Sequence, residues 1–76
     1  MLDLRIEIRG HTYTRDRLPD ADEAYEAIRQ YLLAFGLSVL LSDDFRDHAG
    51  FVKRVMGLGA FTGSIADAQI TIMRSP

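Results

Sequence analysis

Few side chains in this chain could do chemistry, and their spacing decides how far each goes. Asp44 and His48 stand four residues apart in a segment whose apolar spacing predicts a helix over 43–56. Residues i and i+4 project from one helical face, so this pair could hold a metal ion or act as a base with its orienting carboxylate. A working site needs a third member. The only other imidazole is His11, which falls near a hairpin turn, and the chain has no cysteine. The serines at 38, 42, 64 and 75 lack the strand–turn–helix setting of a nucleophile. No catalytic residue and no metal site is expected.

Paired carboxylates occur at Asp22/Glu23 and Asp43/Asp44. Acid–base work needs one carboxyl of a pair desolvated so that its pKa rises. These four fall in the first turns of expected helices, where acids complement the dipole and stay wet. Gly57, Gly59 and Gly63 suggest an anion cradle, but the spacing is one residue too long for the dinucleotide fingerprint. The segment also follows a helix and leads into a strand, the reverse of what aims amides at phosphate. Residues 57–67 are expected to form a flexible connecting loop, and no cofactor is expected.

Two elements must position whatever remains. Leu2, Leu4, Ile6 and Ile8 alternate with polar residues, the mark of a half-buried strand. Arg9-Gly10 reads as a two-residue turn, which sets Ile6 opposite Tyr13, Glu7 opposite Thr12 and Arg5 opposite Thr14. Asp20 is placed to cap a helix over 21–35, with Glu23 three residues on and an apolar stripe from Ala21 through Ile28 to Phe35. Gly36 is placed to end it.

Over Leu37–Leu41 a short strand and a tight connector fit equally, because periodicity cannot separate them in five residues. Ser42 offers a cap for the 43–56 helix, and Gly50 in its middle marks a close approach or a break. Ala68, Ile70 and Ile72 make a closing strand. The expected fold is α+β in the order β-β-α-(β)-α-β. Its small, mainly antiparallel sheet comprises the N-terminal hairpin and the C-terminal strand, with two helices packed on one face.

Bulk properties narrow the function. The length of 76 residues holds one domain, 1–76. A chain this short buries about 60% of its unfolded surface, which leaves little room for both a thick core and an enclosed cleft. No apolar run approaches a membrane span, the N-terminus lacks a signal-like apolar stretch, and a cytoplasmic location is expected. Net charge is −2, yet residues 19–50 carry seven acids against two arginines, for −5. Arg5, Arg9, Arg15 and Arg17 on the hairpin could meet nucleic acid, but their face lacks stacking aromatics and the chain lacks a basic footprint.

The reading that remains is a non-catalytic protein acting on another protein or nucleoprotein complex, with the arginine hairpin as the alternative. Asp22, Glu26, Asp43, Asp44 and Asp47 would steer a basic partner. Leu33 and Phe61 would anchor it. Edge strands would also allow a homodimer by sheet extension. In size, acidity and lack of catalytic side chains the chain resembles the short acidic proteins of bacteriophages and mobile elements. Anti-CRISPR inhibitors and small tail-assembly factors are among these, and the resemblance implies an inhibitor, adaptor or assembly factor.

Overall fold

The alternation at the N-terminus builds strand β1, Leu2–Ile8, with Leu2, Leu4, Ile6 and Ile8 all buried. Arg9 and Gly10 both take positive φ, at 49° and 80°, the left-handed pair that closes a two-residue hairpin. Strand β2, His11–Leu18, returns in the expected register, with Ile6 opposite Tyr13, Glu7 opposite Thr12 and Arg5 opposite Thr14. The register then slips between Leu2 and Leu4, where Arg17 adopts φ 58° and its N–H donates to Asp3. This bulge twists the outer strand near its end.

The computed structural model describes residues 1–76. It shows an α+β fold: a four-stranded antiparallel sheet, ordered β2-β1-β4-β3, with the helices on one face. Helix α1, Ala21–Leu33, starts where Asp20 accepts a hydrogen bond from the Glu23 amide at 2.9 Å. It stops where Leu37 N–H donates to the Leu32 carbonyl and Gly36 N–H to the Leu33 carbonyl. Gly36 takes φ 73°, as that closure requires.

Of the two readings of Leu37–Leu41, the connector is the one found: Val39–Leu41 makes a single 3-10 turn started by the Ser38 hydroxyl, which accepts from the Leu40 amide. Two expectations need correction. The helix expected over 43–56 is two helices, α2, Asp43–Arg46, and α3, His48–Leu58. The break falls at Asp47, whose carboxylate caps α3 through the Gly50 amide at 3.1 Å. A Cβ at position 50 would lie 2.3 Å from the Asp47 Oδ2 atom, so a larger residue there would push the capping carboxylate aside. The chain ends one helix and starts another because a capping aspartate competes with helix continuation.

The expected flexible loop over 57–67 is ordered. Gly57 and Leu58 belong to α3, which ends at Gly59 with φ 70°. Strand β3, Ala60–Ile65, follows and pairs with β4, Ala68–Arg74, through a second two-residue turn at Ala66-Asp67. Arg9 in the first turn reaches Asp67 in the second at 2.9 Å, so the two hairpins are tied at one end of the sheet. That pairing holds the Asp67 carboxyl below its ordinary pKa.

The 19 buried apolar residues form one cluster between the sheet and the helices. Phe45 from α2 and Phe51 from α3 are fully buried there, with ring centroids 5.5 Å apart. The opposite sheet face is uncovered and carries Arg5, Glu7, Thr12, Thr14, Thr62, Ser64 and Gln69.

Candidate functional site

The chain between α1 and α3 is short and is held chiefly at its inner side. Val39 and Phe45 are the two residues of this stretch that enter the core. Ser38 and Ser42 cap the 3-10 turn and α2, with Ser42 Oγ accepting from the Asp44 amide at 3.3 Å. One buried side chain fastens it to the rest: the Tyr25 hydroxyl on α1 donates to the Phe45 carbonyl at 2.7 Å. Burial raises the Tyr25 pKa, which keeps that hydroxyl a donor into the alkaline range.

With Val39 turned inward, its neighbours must face water. Leu40 is 67% exposed and Leu41 64% exposed. Two adjacent leucines that open are unusual on a small surface, where apolar side chains normally stand singly. The acids follow at once. The Asp43 side chain is 86% exposed and pairs with Arg46 one turn on, at 2.7 Å. An exposed i,i+3 pair of this kind contributes little to stability.

Asp44 and Asp47 have structural duties as well as charge. Asp44 faces Arg54 of α3 at 3.4 Å, and Arg54 also donates to the Asp44 carbonyl at 2.7 Å. Asp47 is the cap of α3. The structure thus brings Asp43, Asp44 and Asp47 into one lobe with Leu40 and Leu41.

The other residues singled out from sequence lie elsewhere. Asp22 and Glu26 share a face of α1. Asp22 meets His48 at 2.9 Å, while the His48 ring stacks on Tyr25 with centroids 4.0 Å apart. Asp44 and His48, which one continuous helix would have set on a common face, lie on either side of the break at Asp47 and have different partners. Glu26 accepts from both Arg29 and Gln30, which lowers its pKa to about 2. Leu33 is 54% exposed at the end of α1, two turns beyond Glu26. Phe61 lies in a strand, half-buried, with its ring 5.3 Å from Phe45 and 5.2 Å from Phe51 and the Arg54 guanidinium above it.

Sequence reasoning missed Leu40 and Leu41. Their outward direction follows from Val39 being the inward residue of a 3-10 turn, and a five-residue apolar run carries no phase from which to read that.

The hairpin arginines are partly neutralised. Arg5 pairs with Glu7 at 2.8 Å and Arg9 with Asp67, leaving Arg15 and Arg17 on β2. A shallow depression of about 590 Å³ on the uncovered sheet face runs between Asp3, Arg5, Glu7, Thr14, Thr71 and Met73. Asp3 there is held below its usual range by the Ser75 hydroxyl and the Arg17 amide. Every buried residue is apolar, and no three His, Asp or Glu side chains converge. No helix is long and apolar enough to cross a membrane. No protein-family model, curated protein or solved structure matches this chain.

Proposed function

We propose that the protein acts without catalysis, by occupying a surface of another protein through the lobe formed by the 3-10 turn and α2. The observation that carries this reading is the adjacent, open pair Leu40 and Leu41 beside the exposed Asp43, whose one partner is the exposed Arg46. Apolar side chains at the centre of a contact supply most of its energy, while charges around them steer the encounter. The partner that fits has an apolar pocket bordered by lysine or arginine. The acids of residues 19–50 leave the whole chain at −2, a net charge of the matching sign. An inhibitor, adaptor or assembly factor all work in this way.

The test is affinity capture with three forms of the protein. Wild type should retain a discrete partner, and Leu40→Ser/Leu41→Ser should lose it while keeping its melting temperature. Asp43→Lys should slow association and remove most of its salt dependence. Asp44 and Asp47 are unsuitable for charge reversal, since one holds Arg54 and the other caps α3. Undiminished capture by the double serine variant refutes the assignment.

A further inference from the structure

The two edges of the sheet are built differently. The β2 edge carries Arg15, Asp16 and Arg17 together with the bulge, features that keep a second sheet from pairing there. The β3 edge, Ala60-Phe61-Thr62-Gly63-Ser64-Ile65, has no charge, no proline and no bulge.

The hydrogen-bonding phase of β3 follows from its two ends. Ile65 and Ala68 flank the two-residue turn, and at the other end Arg74 N–H donates to the Gly59 carbonyl at 3.1 Å. Residues 59, 61, 63 and 65 therefore bond to β4. Ala60, Thr62 and Ser64 aim their N–H and C=O groups away from the sheet. All three residues are exposed, and none of them takes part in the backbone bonds made outside helices and strands.

The segment is also symmetric in chemical type about Gly63: Phe-Thr-Gly-Ser-Ile reads apolar, hydroxyl, glycine, hydroxyl, apolar in both directions. We propose that β3 pairs antiparallel with β3 of a second copy about a two-fold axis at Gly63, joining two sheets into one of eight strands. Thr62 then exchanges backbone hydrogen bonds with the partner's Ser64, and their hydroxyls meet on the open face. Phe61 sits beside the partner's Ile65 on the core side, an aromatic–branched pair that strengthens antiparallel contacts. The two glycines at the axis oppose each other without side chains. A foreign strand would need the same uncharged pattern in the same phase, which a second copy supplies by construction. This inference is independent of the lobe at Leu40 and Leu41.

Sedimentation equilibrium on the purified full chain should give twice the 8.6 kDa of one chain at high concentration. Amide exchange on the same samples should show Thr62 and Ser64 more protected at high than at low concentration. Thr62→Lys/Ser64→Lys puts like charges across the axis and should raise the dissociation constant at least about tenfold. Mixing it with Thr62→Glu/Ser64→Glu should restore a one-to-one mixed dimer. A wild-type chain that stays monomeric up to about 1 mM overturns the proposal, that being the weak end of specific association. So does a dimer whose Thr62 and Ser64 amides exchange as fast as in the monomer, and so does a folded lysine variant that dimerises like wild type.

Discussion

Replacing Tyr25 by Phe should loosen the Leu40–Asp43 lobe selectively. The substitution removes one oxygen and leaves the ring, so the stacking on His48 and the tilted contact with Phe51 at 5.3 Å survive. What is lost is the 2.7 Å bond to the Phe45 carbonyl, the buried hydrogen bond between α1 and α2. Leaving a buried acceptor without its donor costs about 1–3 kcal/mol. In a domain of this size, that lowers the melting temperature by roughly 4–8 °C for each kcal/mol. Thermal and urea denaturation followed by circular dichroism would measure the loss.

Amide exchange would locate it, with faster exchange over residues 39–46 and little change in β1 and β4. Tyr31→Phe is the control. Tyr31 stacks on Tyr13 at 4.2 Å, its ring does the packing, and the change should cost under about 0.5 kcal/mol. A Tyr25→Phe loss below about 0.3 kcal/mol, or unchanged exchange over 39–46, would refute the idea that this bond holds the lobe.

Three further outcomes are expected. Ile28→Ala, at a fully buried position of α1, should cost about 2–5 kcal/mol by denaturant melt, and a loss below about 0.5 would contradict its place in the core. Asp47→Ala removes the cap of α3 and should cost about 0.5–2 kcal/mol, with exchange rising first at Gly50; an unaffected α3 would show that the break has another cause. The Glu26 carboxyl, lowered by hydrogen bonds from Arg29 and Gln30, stabilises the fold fully above its ordinary value of 4.5 and loses that contribution as pH falls through about 2. Its carbon-13 titration should show the low midpoint in wild type and a shift toward 4.5 in Arg29→Ala; an unmoved midpoint would contradict the pairing.

The parts of the fold legible in the sequence are those with a clear period and clear punctuation. Alternation from Leu2 to Ile8 with Gly10 after it predicts the register of the first hairpin next to its turn, though not the bulge at Arg17, and Asp20 and Gly36 bracket α1. Where polar residues have two possible uses, sequence reasoning goes astray. Asp47 reads as a solvated helix residue and acts as a cap, which splits one helix into two and turns His48 toward Asp22 instead of Asp44.

Glycine density concealed β3. Gly57 is helical and Gly59 stops the helix. Gly63 lies within a strand, where a Cβ would come 2.9 Å from the Phe61 ring and 3.1 Å from the Phe45 ring, so its smallness serves packing and marks no loop. The acids of residues 19–50 were legible as a charged region, but their division into caps and ion pairs depends on contacts that the sequence does not show. The exposure of Leu40 and Leu41 follows from Val39 pointing inward, a direction the sequence does not carry.

A photo-crosslinking amino acid placed at Leu41 in cells that make the protein tests the contact surface most directly, with one at Gln30 on α1 as reference. The lobe reading predicts one discrete covalent adduct from position 41, absent from position 30, and lost when Leu40→Ser and Asp43→Lys are added. Equal adducts from both positions, or an adduct that survives those changes, would contradict it.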